Sequence, residues 1–466
     1  MGKEYASVFL ETKFPKGGSI KNILDNFEEN KEVATAGRLI AKRDHGKSMF
    51  AHISDITAKL QVYAKLDILK EGYQVFTSLD VGDIIGVKGV LFKTRTGEPT
   101  LLVREVKLLA KSLKPLPEKW HRLKDVEVRY RQRYLDLISN PTSAQVFLGR
   151  SKVISFIRDF FAKEEYIEVE TPMLHPLAGG ASGKPFVTRH LSLDCDVYLR
   201  IAPELYLKRL LVGGFDKIYE INRSFRNEGL SSRHSPEFTM LEAYCAYQNY
   251  EYMMEVCEKL FSSLLEYLYG RLEINYQGYS IDFTPPWLRV SLAEILEEEL
   301  GIKSSDSKEE AIKKMRNYFR KSKGEEVVSL SRSQLLNLTE DLMEKRYSRT
   351  KPVFVTDFFT WASPLAKRKK DNPNLVERFE LFIAGLEIAN GYSELNDPIE
   401  QRRRFEEHLE FEEELLKKID EDFILSLEYG MPPAVGLGIG IDRLVMLLFN
   451  QPSIKDVILF PLHRVR

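Results

Sequence analysis

Between Val33 and Leu109 apolar and polar residues alternate in five short runs, Val33–Ala41, Met49–Asp55, Lys59–Tyr63, Ile84–Phe92 and Thr100–Leu109, each the length of one strand. A helix-length segment, Leu66–Leu79, separates the third run from the fourth. Three strands, a helix and two strands is the order of an OB-fold barrel, which commonly binds oligonucleotides although the fold alone does not establish it. Past residue 146 the period changes. Val153, Ile157, Phe160 and Phe161 recur at three and four residues and predict a helix over 146–163, then a strand, Tyr166–Pro172, closed by proline. Tyr252–Tyr269 predicts another amphipathic helix. Residues 291–350 read as helix-rich and dense in Lys and Glu, which predicts a solvated insertion. Residues 1–32 carry only a short helix near Ile20–Glu29.

The densest chemistry lies in residues 219–244. A strand ends near Phe225, a polar turn runs through Gly229 to Ser235, and Pro236 bars helix ahead of a second strand from about Glu237. Arg223, Arg226, Glu228, Arg233, His234, Glu237 and Glu242 are interleaved with Phe225, Phe238 and Tyr244. One hairpin thus offers cations for phosphates, aromatic faces for a base and carboxylates for an amine. An isolated Arg-x-x-x-Phe pair is more often a solvated surface hairpin.

Further along, alternation puts Glu380 and Phe382 on one face of a strand, and Glu387 on the next strand after a turn at Gly385. Carboxylates on neighbouring antiparallel strands repel unless they face solvent or a cation bridges them, and magnesium takes one or two carboxylates plus substrate phosphates. Gly436-Leu-Gly-Ile-Gly-Ile-Asp-Arg443 is a strand of small residues running into a helix. It fails the dinucleotide fingerprint in its last glycine spacing and lacks a following βαβ unit. Arg443 opposes the helix dipole, a cost that a phosphate contact offsets. Glu204, just after Pro203, favours the dipole of its own helix.

Composition adds bounds. The 466 residues suggest two or three domains, and 43% hydrophobic with 29% charged residues is ordinary globular composition. No apolar run reaches membrane-span length, and the N-terminus lacks the apolar core of a signal peptide, so the expectation is a cytoplasmic protein without membrane contact. Cys195, Cys245 and Cys257 form no Cys-x-x-Cys pair and support neither disulfides nor structural zinc. With a net charge of -1 any nucleic-acid binding must be local. One basic patch stands out: Lys111, Lys114, Lys119, Arg122, Lys124, Arg129, Arg131 and Arg133 against Glu118, Asp125 and Glu127. It reads equally as a phosphate track or a solvated basic helix.

Phe225-Arg226-x-Glu228, a short loop, Arg233-His234-x-Pro236-Glu237-Phe238-Thr239 and Glu242-x-Tyr244 resemble motif 2 of the class II aminoacyl-tRNA synthetases. The helix, strand and Pro172 resemble motif 1, and Gly436 to Arg443 resembles motif 3. The loop Gly179-Gly-Ala-Ser-Gly-Lys-Pro-Phe186 and the barrel signatures Gly37-Arg38, Gly46-Lys47 and Lys93 to Glu98 look like the lysyl-tRNA synthetases. The resemblance spans about residues 33–466 and is weakest in 291–350. It implies an α+β chain: an N-terminal segment (1–32), an OB-fold anticodon-binding barrel (33–113), a basic linker (114–145), and a class II catalytic domain (146–466) with an antiparallel sheet flanked by helices. The implied activity is ATP-dependent formation of lysyl-adenylate from L-lysine and its transfer to the 3′ end of tRNA(Lys), in a homodimer, with Mg2+.

Carried over residue by residue, the resemblance implies that Arg226 bridges carboxylate and α-phosphate and that Arg443 holds the γ-phosphate. Phe238 stacks on adenine, Glu228 and His234 line the nucleotide, and Glu380 and Glu387 hold magnesium. Gly180, Glu204, Glu242, Tyr244, Asn390, Tyr392 and Glu394 surround lysine. Arg43, Phe50, Gln61 and Glu98 read the anticodon. An aspartyl or asparaginyl synthetase would share the architecture but want a cation where Glu394 stands. A lysine ligase acting on elongation factor P would lack the barrel, and a non-catalytic tRNA-binding paralogue would lose Arg226, Glu387 or Arg443.

Overall fold

The computed structural model describes residues 11–116, 123, 125–180, 183–323, 338, 342, 346, 349–409 and 418–463. The chain divides into two compact units, residues 1–145 and 146–466.

In the first unit strands Glu32–Asp44, Ser48–Ser54, Lys59–Lys65, Ile84–Lys93 and Pro99–Ala110 close into a barrel in the order first, second, third, fifth, fourth. Alternation decides which side chains fill it. Met49, Ala51 and Ile53 point inward with Leu60, Val62 and Ala64, so the residues between them face out. The single helix expected over Leu66–Leu79 is two, Leu66–Leu69 and Gly72–Ser78, because Lys70 adopts a left-handed φ of 51° between them. Phe76 from the second is fully buried in the barrel core.

The basic patch is largely neutralised where it is described. Arg129 Nε and Arg133 Nη1 both donate to the buried Asp136 carboxylate at 2.7 Å, and Lys111 bridges Asp80 and Asp83 at 2.6 and 2.9 Å. These three cations brace the chain through buried or partly buried acids. Lys119, Arg122 and Lys124 lie outside the described residues.

The second unit is built on one eight-stranded sheet. Its spatial order is Leu288–Ser291, Val353–Phe359, Leu375–Ile383, Leu386–Ser393, Ala434–Gly440, Glu237–Ala246, Lys217–Phe225 and Ile167–Glu168. The expectation of an antiparallel sheet needs correcting at its margins: Ile167–Glu168 and Leu288–Ser291 pair parallel to their neighbours, so the sheet is mixed. Both edge strands reach it over long connections, the only way a parallel neighbour can be reached. The strand expected over Tyr166–Pro172 shrinks to Ile167–Glu168. After Val169 donates to the Tyr219 carbonyl, the Thr171 hydroxyl turns to Glu220 instead of extending the ladder.

Helices Pro141–Lys163, Tyr250–Tyr269 and Ile441–Leu448 contribute to one apolar cluster with Leu241, Leu381, Ala389, Leu437 and Ile439 of the sheet. Residues 291–350 are more than a solvated insertion. Helices Leu292–Leu300 and Lys308–Lys323 turn Leu292, Ile295, Leu296, Ala311 and Met315 onto Val355, Phe358 and Phe382, forming a second core.

Candidate active site

A cavity of about 460 Å³, the size of a small-molecule site, opens on the sheet. Its floor is three strands, and its middle strand is nearly bare. Gly436 pairs with Tyr244 on one side and Tyr392 on the other, and Gly438 pairs with Glu242 and Asn390. The alternate residues Val435, Leu437 and Ile439 are buried in the core. Period two therefore explains Gly-x-Gly-x-Gly: each glycine is a side chain omitted from the cavity. A Cβ at Gly436 would collide with the Glu394 carboxylate and come within 2.7 Å of the Tyr244 ring.

A bulge sets which carboxylates share this face. Leu381 pairs with Ala389 and Phe382 with Glu387, so Ile388 is extra in its strand. Ile388 and Ala389 both go to the core, and Glu387 returns to the cavity side with Asn390, Tyr392 and Glu394. Simple alternation would have separated Glu387 from Asn390. The preceding turn is as expected, with Ala384 and Gly385 both at positive φ, 52° and 78°.

The inner end of the cavity is acidic. Glu204, Glu242 and Glu394 are buried, Glu394 to 1% exposure. Tyr392 Oη donates to Glu204 Oε1 at 2.5 Å and Tyr244 Oη to Glu242 Oε2 at 3.2 Å. Lys208, one turn after Glu204 on helix Glu204–Val212, places its ammonium 2.7 Å from Glu204 and 2.5 Å from Glu394. Burial pushes the Glu242 carboxyl up to about 8, with Glu204 adding to the rise. Burial raises Glu394 too, against the pull of the Lys208 ammonium.

The outer end is cationic. Arg226 follows the last ladder residue, its backbone N–H donating to Pro236 and its guanidinium lying 5.1 Å from the Phe238 ring centroid. Arg226 Nε is buried without a hydrogen-bond partner, so its donor is available to an anion. Gly183, at φ 154°, brings the loop after Gly180 close enough that a Cβ there would meet Arg226 Cδ at 3.2 Å. Ala181 and Ser182 lie outside the described residues. Arg443 Nη1 donates to the Glu387 carbonyl at 2.8 Å and carboxylate at 3.2 Å, while Nη2 meets His234 Nε2 at 3.1 Å. Glu387 therefore offsets the unfavourable dipole position of Arg443. Burial, then Arg443, lowers the His234 pKa, which favours the neutral ring. Glu228 lines the same cavity.

Among the described residues no cluster of three or more His, Cys, Asp or Glu is arranged to hold a metal. Glu387 is partly exposed and faces the cavity; Glu380 is fully buried, its Oε1 taken by Arg378 Nη2 at 2.5 Å. Two carboxylates suit a magnesium ion that draws its other ligands from phosphates and water.

Family models decide the class. One for tRNA synthetases class II (D, K and N) matches residues 125–464, and one for an OB-fold nucleic acid binding domain matches residues 33–109. The chain belongs to the class II tRNA synthetases of the D, K and N group. A lysine–tRNA ligase of Carboxydothermus hydrogenoformans is 52% identical over 462 residues, 97% of this chain and 94% of that protein. One from Moorella thermoacetica is 50% identical over 448 residues, 94% of this chain and 89% of that protein. One from Aquifex aeolicus is 48% identical over 462 residues, 98% of this chain and 77% of that protein.

In the barrel of this class II synthetase the four residues named from sequence lie around one outer face. Arg43 pairs with Phe50, and Gln61 Nε2 donates to Glu98 Oε2 at 2.9 Å while Thr100 donates to Gln61 Oε1 at 2.7 Å. Phe50 stacks on Tyr63 with centroids 4.4 Å apart. Phe50 alone reads as core, yet it alternates with Met49 and Ala51 and so stands outside the barrel. Tyr63 and His52, 3.2 Å from Glu98, were missed, although the same alternation marks both.

Sequence reasoning also missed supporting groups in the synthetase cavity. Lys208 was visible as an i, i+4 partner of Glu204. Arg378 sits two residues before Glu380, and its Nη1 donates to Ser363 Oγ at 2.8 Å. Asp442 accepts from the Thr239 N–H at 2.7 Å and from Arg150 at 2.6 Å, locking the helix that carries Arg443. No local signal pointed to Arg150, which is 292 residues from Asp442.

Proposed function

We infer that this synthetase is a lysine–tRNA ligase that activates L-lysine with ATP and charges tRNA(Lys) for protein synthesis. The single observation that carries the choice of amino acid is the buried acidic floor of Glu204, Glu242 and Glu394 beside Arg226. A substrate with two ammonium groups and one carboxylate complements that arrangement, whereas an aspartyl or asparaginyl substrate would bring no side-chain ammonium to this acidic floor.

In this reading an oxygen of the lysine carboxylate attacks the α-phosphorus of ATP, the bond to the bridging oxygen breaks and pyrophosphate leaves. The substrate supplies its own nucleophile, so the protein works by positioning and by neutralising charge. Arg226 draws the two anions together, offering its buried Nε–H and using Phe238 as a platform. Phe238 also presents a face to adenine, with Glu228 and His234 along the nucleotide and Arg443 at the γ-phosphate. Glu204 and the Gly180 carbonyl receive the α-ammonium, and Asn390 orients the carboxylate. Glu394, Tyr244 and Glu242 take the ε-ammonium, while Tyr392 covers the methylenes. Glu387 and Glu380 would hold magnesium, which when bound neutralises phosphate charge.

Arg43, Phe50, Gln61 and Glu98 form the anticodon-reading set, Phe50 by stacking and the polar groups by base edges. The exposed apolar residues Ile167, Met173 and Leu174 support burial of this stretch against a second copy, giving a homodimer. No helix among the described residues is long and apolar enough to cross a membrane, and a cytoplasmic location fits the role. Pyrophosphate exchange with lysine, aspartate and asparagine in turn, followed by charging of tRNA(Lys), tests the assignment. Exchange driven by aspartate or asparagine and not by lysine would overturn it.

A further inference from the structure

We propose that Lys208 is a positioning and specificity-determining residue, a built-in ammonium that fixes Glu204 and Glu394 and sets the cavity's charge to accept two further ammonium groups. This rests on the lysine-activating reading and deepens it.

Several acids around the cavity each have their own arginine. Glu220 is matched by Arg200 Nη1 at 2.7 Å, Glu380 by Arg378 at 2.5 Å and Glu387 by Arg443 at 3.2 Å. What remains at the inner end is Glu204 and Glu394, both paired with Lys208, and Glu242, with Arg226 beyond them. Once all three carboxylates are ionised, they and the one ammonium leave two negative charges. An α-ammonium and an ε-ammonium fill that deficit, while the substrate carboxylate goes to Arg226. Without Lys208 the same floor would need three cations.

Lys208 is also held where it cannot be replaced by solvent. Its side chain is fully buried, with Nζ 5.5 Å from the centroid of Tyr392 and 6.0 Å from that of Phe423. Tyr392 Oη donates to the same Glu204 oxygen that Lys208 grips, so one ammonium braces two substrate-facing groups. A carboxylate pinned on one side presents its remaining lone pairs in a fixed direction. Glu204 and Glu394 sit on different elements, a helix and the end of a strand, and Lys208 is their shared tie.

The pH dependence follows from the groups that face Glu394: Lys208 and Glu204 from the helix, Glu242 and Tyr244 from the strand beyond the glycine strand, and Tyr392 from the strand that Glu394 follows. Burial holds the Glu394 pKa up, Lys208 pulls it down, and the Glu204 and Glu242 carboxylates add to the rise. Removing Lys208 takes away the main downward influence, so Glu394 keeps its proton to higher pH and cannot pair with a substrate ammonium there.

The test is lysine-dependent ATP–pyrophosphate exchange across pH 6 to 9 with wild type, K208M and K208Q, with thermal unfolding of each. Wild-type exchange with lysine checks the underlying function separately; its absence sinks that reading before Lys208 is at issue. The expected result for K208M is a KM for lysine raised by about thirtyfold or more, the scale of truncating one partner of a buried pair, with KM for ATP changed by less than about threefold. The acid limb of kcat/KM for lysine moves toward alkaline pH by about one unit or more. K208Q, which keeps hydrogen bonds without charge, recovers folding but retains the alkaline shift. An unmoved acid limb in a folded K208Q protein overturns the proposal, as does an unchanged KM for lysine in either folded variant.

Discussion

Glu394→Gln tests the electrostatics of the cavity with almost no change of shape. The carboxylate is 1% exposed and 2.5 Å from Lys208, at the end of a strand whose neighbour, Gly436, leaves room for it. The amide keeps an acceptor for Lys208 and loses the charge. Folding is then little affected, because burial already disfavours the ionised form and a neutral group relieves that cost. We expect unfolding free energy to stay within about 1 kcal/mol of wild type. Lysine binding is different, since a desolvated substrate ammonium loses a charged partner. Truncating one member of such a pair costs roughly 2–5 kcal/mol, or about thirtyfold to several thousandfold in kcat/KM for lysine. The assay is lysine-dependent ATP–pyrophosphate exchange, with thermal unfolding as the control for structure. Exchange at the wild-type rate with an unchanged KM would refute the reasoning, because a carboxylate so enclosed cannot be idle if the ligand's cation lies beside it.

Gly436→Ala should keep the sheet and damage the cavity, since the new methyl meets Glu394 and Tyr244; a fall of about a hundredfold or more in kcat/KM for lysine is expected, measured by the same exchange assay. Affinity for lysine should rise with pH from about 6 to 8 because Glu242, pushed up to about 8, must shed its proton to meet an ammonium; calorimetry in buffers of different ionisation enthalpy should record proton release on binding. The same raised carboxyl makes the ligand-free protein less stable as pH climbs from the usual carboxylate range toward 8, since the unfolded chain releases that proton first; thermal melts with and without Glu242→Gln should converge at low pH. Phe50→Ala on the barrel should weaken charging of tRNA(Lys) by raising KM for tRNA about tenfold or more, with lysine exchange untouched; an equal loss in both assays would contradict separate roles.

The local record in the chain was enough for the barrel, the hairpin at 217–246 and the glycine strand, because each follows from period two and from turn chemistry within a few residues. The turn at Gly385 is one such case: a glycine between two strand-length runs marks the hairpin, and the structure closes it with Ala384 and Gly385 both at positive φ. Naming the substrate-facing acids from sequence depended on motif order, since Glu204 or Glu242 alone is indistinguishable from a solvated charge. Tertiary structure decided the rest. The extra Ile388 that returns Glu387 to the cavity face, the parallel edge strands, the closure of Asp136 by Arg129 and Arg133, and the tie from Lys208 to Glu394 all depend on which segments meet. A residue's partner across 186 positions is set by packing and burial, and neither leaves a periodic trace around either residue. Sequence thus specified the elements and the kinds of chemistry they carry; only the folded chain determined which charges are matched to one another and which are left for a ligand.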